Sequence, residues 1–314
     1  MIQNLAFSVG AFVLGVVVVI WATERLLEGM VGLASLVRLA PFAIAGIFSG
    51  LEAENVAVGV VAAHADAPDI ALGTVFGGGI FVACVALGLG AVLFPLRVDL
   101  PRRVLLVLAA SPLVAGLALI GDRTSRVAGA ALLVAFGLAL GYLVNASRRH
   151  RFLAAGEALE AAEKSRQWWV PALLTLVGIG VIALGAELVT FGAERMISIY
   201  SVPAALVGMI VTPAAIELEE VIRQAIPAKE GRPDISAGNL VGTVLYFVLF
   251  NLGLIAVAAP VRVSSLTREL DWPFLVAATW LAAAFLWRGG VSRLQGGVLL
   301  LLYAAYVAAH LWFR

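Results

Sequence analysis

Charge is what this chain has least of. Of its 314 residues, 13% are charged and 62% are hydrophobic, and the mean hydropathy is +1.03. A soluble domain is nearer a quarter charged and half apolar, so a water-soluble globular fold is excluded. The net charge of +1 provides no basic surface for nucleic acid. The single cysteine, Cys84, lies in an apolar run. It excludes an internal disulfide and reads as a small buried apolar residue. Met1-Ile2-Gln3-Asn4 lacks a basic n-region, and the apolar run behind it continues into a full span, so no cleavable signal peptide is expected. No His-Glu-x-x-His, Gly-x-Ser-x-Gly or paired-Asp motif stands in a catalytic context, so the chain is not expected to be an enzyme.

Apolar runs of about 20 residues recur along the whole length, the pattern of a polytopic all-α membrane protein. Ten spans are expected, near 5–36, 40–63, 70–94, 102–120, 126–145, 168–198, 203–226, 235–258, 273–288 and 293–312. Pro41, Pro101 and Pro273 fall near span starts, where a missing N–H is harmless. Trp168, Trp169, Trp272, Trp280, Trp287 and Trp312 fall mostly near span ends, as in an aromatic belt. With the N-terminus outside, the inner connections hold 13 basic residues and the outer ones 6. Both termini are therefore expected outside, in a prokaryote-like inner or plasma membrane.

The two ends of the chain repeat each other. At a constant offset of 165 residues, Glu52 matches Glu217, Glu54 matches Glu219, Pro68-Asp69-Ile70 matches Pro233-Asp234-Ile235, and Arg97 matches Arg262. Gly73/Gly238, Gly77/Gly242, Gly88/Gly253 and Pro95/Pro260 follow the same offset. The expected division is 1–147, a polar linker at 148–167 carrying Glu157, Glu160, Glu163 and Lys164 at helical spacing, and 168–314. Each half holds five spans. Five is odd, so the second half is expected to cross in the opposite sense, as an inverted repeat.

Both repeats place carboxylates in the middle of a long apolar run, at Gly50-Leu51-Glu52-Ala53-Glu54-Asn55 and at Ala215-Ile216-Glu217-Leu218-Glu219-Glu220. Five unpaired charges at mid-membrane would cost at most about 12–18 kcal/mol on insertion scales. A bound cation or protons would offset that cost. Glu52, Asn55, Glu217 and Glu220 offer oxygens from both halves, which suits the irregular oxygen shell of calcium. On a helix 52/55 and 217/220 are i,i+3 pairs that share a face, leaving Glu54 and Glu219 to point elsewhere. Like charges crowded at one apolar site cannot all stay ionised, which suits exchange of a divalent ion for protons. Arg223 lies within helical reach of Glu219 and Glu220. It reads either as a structural ion-pair partner or as a fixed charge that replaces one coupling cation.

These residues carry a resemblance. Pro68-Asp-Ile-Ala-Leu-Gly-Thr-Val-Phe-Gly-Gly-Gly79 and Pro233-Asp-Ile-Ser-Ala-Gly-Asn-Leu-Val-Gly-Thr-Val244 resemble the second part of the α-repeats of the calcium/cation antiporter superfamily, which includes the sodium/calcium exchangers. The resemblance implies ten helices in two inverted halves, alternating access, and transported inorganic cations rather than a resident cofactor. Calcium is the favoured cation, with protons or sodium as the coupling ion. Counting back eighteen residues from Gly73 and Gly238, the family's ion-binding Glu is retained as Glu220 and replaced by Asn55. Its Thr-Ser pair becomes Leu51-Glu52 and Ile216-Glu217, and its Pro becomes Glu54 and Glu219. Its later polar ligands become Gly78 and Val82 in one half, and Thr243 and Phe247 in the other. The candidate cation-binding set is therefore Glu52, Glu54, Asn55, Glu217, Glu219, Glu220 and Thr243, with Glu52, Glu217 and Glu220 on the metal and Arg223 compensating charge.

The altered motifs leave a second class open, a non-transporting membrane sensor or assembly protein that keeps the fold. Glu24, Glu28, Glu187 and Glu194 are weaker candidates for the ion path. Asp69 and Asp234 read first as helix caps, and His64 and His310 as interfacial residues. Besides cations the expected partner is the lipid bilayer; the oligomeric state stays open.

Overall fold

The computed structural model describes residues 2–36, 52–150, 169–200 and 202–312. They form eleven helices: α1 (Ile2–Leu36), α2 (Ala53–His64), α3 (Pro68–Leu93), α4 (Arg102–Leu119), α5 (Arg126–His150), α6 (Trp169–Tyr200), α7 (Ala204–Ile216), α8 (Leu218–Lys229), α9 (Pro233–Ala258), α10 (Thr267–Trp287) and α11 (Arg293–Trp312). Among the described residues, eight helices are long and apolar enough to cross a membrane. The expected span at 203–226 is broken at Glu217 into α7 and α8. Of the expected span at 40–63, the part from 53 onward is α2, and 40–51 lies outside the described residues, as do residues 151–168 of the expected linker.

The sequence offset reappears in the backbone. α2 begins and ends 165 residues before α8, and α3 does the same relative to α9. Each of α3 and α9 widens into a π-helical turn at its middle, at Val82–Ala86 and Tyr246–Asn251. Such turns, in which one residue is added to the helix, recur at functional sites. Two pairs of matched helices run antiparallel. α1 lies along α6 with Phe12 against Gly192 and Leu26 against Gly178. α4 lies along α10, where the Trp272 indole donates to the Pro112 carbonyl and the Trp280 indole to that of Ala109. Two short backbone pairings follow the same symmetry. β1 (Leu96–Arg97) pairs with β2 (Gly290–Val291), and Arg262 pairs with Arg123.

α3 and α9 form the core; Leu72, Val75, Phe76, Leu240, Val244 and Phe247 are fully shielded. α1 and α6 lie outside it and present Val17, Trp21, Leu176 and Leu184 outward, as lipid-facing helices do. α3 and α7 meet at backbone contact: a Cβ on Gly73 would fall on the carbonyl of Gly208, and one on Gly208 on that of Asp69. Only glycine permits this approach. Trp280 departs from the aromatic-belt expectation. It lies mid-helix on α10, 49% exposed, held by its bond to α4.

Candidate cation site

Glu52 and Glu217 hold the same backbone position, each the residue before the first turn of a short helix. At Glu217 the chain leaves α7 and enters α8 without a full helical hydrogen-bond pattern. The carbonyl end of α7 and the N–H end of α8 therefore converge there, and interrupted helices of this kind present dipole ends to ions at mid-membrane.

Asn55 joins the halves. Its Nδ2 donates to Glu217 Oε1 at 2.6 Å and lies 3.4 Å from Glu52 Oε2. All three residues are buried. Glu52 Oε1, Glu217 Oε2 and Asn55 Oδ1 are shielded and have no hydrogen-bond partner, and Glu54 Oε2 is likewise unpaired. An unpaired buried acceptor costs about 1–3 kcal/mol, more when charged. Acceptors without donors, drawn from both halves, are what a cation or incoming protons would satisfy.

The other predicted residues divide. Glu220 is buried but turned to neighbours of its own half: Oε1 pairs with Arg223 Nη1 at 3.0 Å, and Oε2 accepts from Asn239 Nδ2 at 2.9 Å. Arg223 also holds Glu219 through Nη2 at 3.0 Å; these two side chains are 28% and 25% exposed. Glu54 is buried, within electrostatic reach of Glu52 and Glu217. Thr243 Oγ1, on α9, is buried without a partner. Among the described residues no three His, Cys, Asp or Glu side chains are gathered as a ready-made metal cluster. The structure thus brings together Glu52, Asn55 and Glu217, with Glu220 one step removed.

Some expectations change. Asp69 and Asp234 sit inside the first turns of α3 and α9, behind Ala67 and Arg232, and make no capping hydrogen bond. Proline at the first helical position already suits those starts. His64 is exposed, as expected of an interfacial residue, whereas His310 is buried against Asp271. Glu24, Glu28 and Glu187 are exposed, and Arg25 pairs with Glu28 at the surface. Asn239 was not singled out from the sequence. It stands in the quoted Gly238-Asn239 motif, where its matched position is Thr74, but its bond to Glu220 spans 19 residues and two helices.

Buried acids and an amide meeting at the break between α7 and α8, inside a bundle of long apolar helices, define an integral membrane protein. The chain belongs to the sodium/calcium exchanger protein family, which it matches over residues 7–145 and 170–312. It is 25% identical over 297 residues to the inner membrane protein YrbG of Escherichia coli K12, covering 92% of this chain and 91% of that one. It is also 25% identical over 310 residues to CaxA of Alkalimonas amylolytica, covering 93% and 95%. Among solved structures, its fold is similar to that of the sodium-calcium exchanger NCX_Mj soaked with sodium and strontium. There the TM-score is 0.62 at 21% identity, over 97% of this chain and 98% of the other.

Proposed function

We propose that the chain is a secondary cation antiporter that binds its ion at Glu52, Asn55 and Glu217. The observation that carries this reading is the set of unpartnered buried oxygens on these three residues, contributed by both halves and held together by the Asn55 amide. Calcium is the favoured cargo, because it accepts carboxylate and amide oxygens in irregular arrays. Glu220 and Thr243 are the next ligands to join as the site closes, and Glu54 and Glu219 carry charge near the path. Protons are favoured over sodium as the coupling ion: the site is rich in carboxylates and poor in the hydroxyl and amide ligands that sodium sites of the family use. Arg223 supplies a fixed positive charge to the second half.

The architecture proposed is ten crossings in two inverted halves of five, joined by the polar segment at 148–167, with both termini outside. The antiparallel run of matched helices supports inversion. The pairing of Arg97 with Gly290 and of Arg123 with Arg262 supports the assigned sides, since the basic-residue rule puts the first pair inside and the second outside. α1 and α6, packed on each other at the periphery, are the elements that move against the α3–α9 core.

The test is ion flux into proteoliposomes loaded with a calcium indicator or a pH indicator. A proton gradient is expected to drive calcium flux that is lost in Glu217→Gln. No flux of calcium or manganese under either a proton or a sodium gradient would overturn the exchanger reading and favour a sensor that keeps the fold.

A further inference from the structure

Asp271 and His310 have no part in the site at Glu52 and Glu217. Asp271 lies in the first turn of α10, and His310 in the last turn of α11, 39 residues further on. Both are buried, as is Tyr306. Asp271 Oδ1 receives the Tyr306 hydroxyl at 2.8 Å and meets His310 Nε2 at 2.8 Å. The Tyr306 and His310 rings stand edge to face, 4.7 Å apart. Asp271 Oδ2 and His310 Nδ1 are shielded and have no partner.

Among the described residues, the surroundings supply no fixed cation. From α3, Asp69 lies within electrostatic reach of both Asp271 and His310. From α11, the Tyr303 ring lies tilted against that of Tyr306, and Cys84 of α3 lies within electrostatic reach of Tyr303. α7 contributes no titratable side chain. On the turn that carries Asp271, Glu269 is exposed, and Arg268 is turned to the carbonyls of Gly121 and Val263 and to Asp122. Asp271 and His310 therefore share a buried space, the half-buried Asp69 lies within electrostatic reach, and among the described residues no arginine or lysine touches them. With Asp271 ionised, Nε2–H donates to Oδ1 and Nδ1 is a bare acceptor. A proton taken up at Nδ1 would make an imidazolium against the Asp271 carboxylate, with Asp69 within electrostatic reach.

We propose that Asp271, His310 and Tyr306 form a proton-binding site separate from the cation site, whose occupancy adjusts the transport rate through α3. The arrangement belongs to one half only: the matched positions are Leu106, Gly141 and Asn145. The repeated fold therefore does not require it. The path is short. Asp69 lies within electrostatic reach of the cluster, its carbonyl meets Gly208 of α7, and Glu217 follows the last residue of α7. The effect on rate rests on the exchanger reading; the proton site itself does not.

The first readout is independent of transport: nitrogen NMR of purified protein labelled with 15N-histidine, with the His310 signal assigned by His310→Gln. The signal is followed from about pH 5 to pH 8 and is expected to change with pH in the wild type and to respond differently in Asp271→Asn. A His310 signal that stays in one protonation state across that range would overturn the proposal. The second readout is flux against pH. His310→Gln is expected to flatten the wild-type profile while calcium affinity at about pH 8 stays within about twofold. Tyr306→Phe, the milder change, is expected to shift the profile without flattening it. Unchanged profiles in both variants would overturn the link to transport. Titration of His310 in a wild type that carries no ion would uphold the proton site and overturn the exchanger reading alone.

Discussion

The two halves share a backbone but not a set of side chains. At matched positions, the first half holds Asn55, Val58, Gly59, Thr74, Gly78 and Ala86; the second holds Glu220, Arg223, Gln224, Asn239, Thr243 and Asn251. The helices that carry them begin and end in register, and both halves place one glutamate at the head of the short helix. Symmetry thus fixes the backbone positions and leaves open whether a polar group stands at them. The first half provides an amide that reaches across. The second half provides an acid neutralised by its own arginine and asparagine.

The largest test of this comparison is the pair that the halves share. Glu52→Gln and Glu217→Gln each remove one carboxylate from a buried site, a loss of about 3 kcal/mol, or roughly a hundredfold in cation affinity. Similar losses in flux assays of both variants would mean that matched positions carry matched roles. A large loss in one alone would break the comparison.

Next is the asymmetric bridge. Asn55→Asp removes the only donor between Glu52 and Glu217 among the described contacts and places a third acid beside them. A fall in calcium affinity of about tenfold is expected, near the 1–3 kcal/mol of a lost buried hydrogen bond. A comparable effect is expected on stability from Gly73→Ala, whose new methyl collides with the Gly208 carbonyl. It should lower stability by about 1–3 kcal/mol, read as a lower melting temperature in detergent.

Arg223→Gln sharpens the comparison further. It releases the half-buried Glu219 and the buried Glu220, which keeps its bond from Asn239; because this pair stands apart from Glu52, Asn55 and Glu217, a change of about 1 kcal/mol or less in cation affinity is expected. The smallest effect belongs to Arg25→Gln, which breaks a surface pair with Glu28. Flux and stability should change by less than about 0.5 kcal/mol.

Much of the frame was legible in the sequence because it depends on periodicity alone. Apolar runs located the long helices, and the offset linking Pro68-Asp-Ile to Pro233-Asp-Ile located the repeat. The carboxylates stood out because charge is rare in such runs. What could not be read was set by tertiary contact. The break at Glu217 divides an otherwise continuous apolar stretch, and only the fold shows that Asn55 crosses to it rather than staying with Glu52 alone. Glu220 looked like the retained ligand by counting residues, yet Asn239, a helix away, draws it aside. His310 looked interfacial because it stands as a lone histidine near the end of the last span; its partner Asp271 arrives from another helix.

The most direct test of the central claim is equilibrium binding of radiolabelled calcium to purified protein, without a membrane gradient. One saturable site is expected in the wild type, lost in both Glu52→Gln and Glu217→Gln. Calcium binding of unchanged affinity in both variants would contradict it.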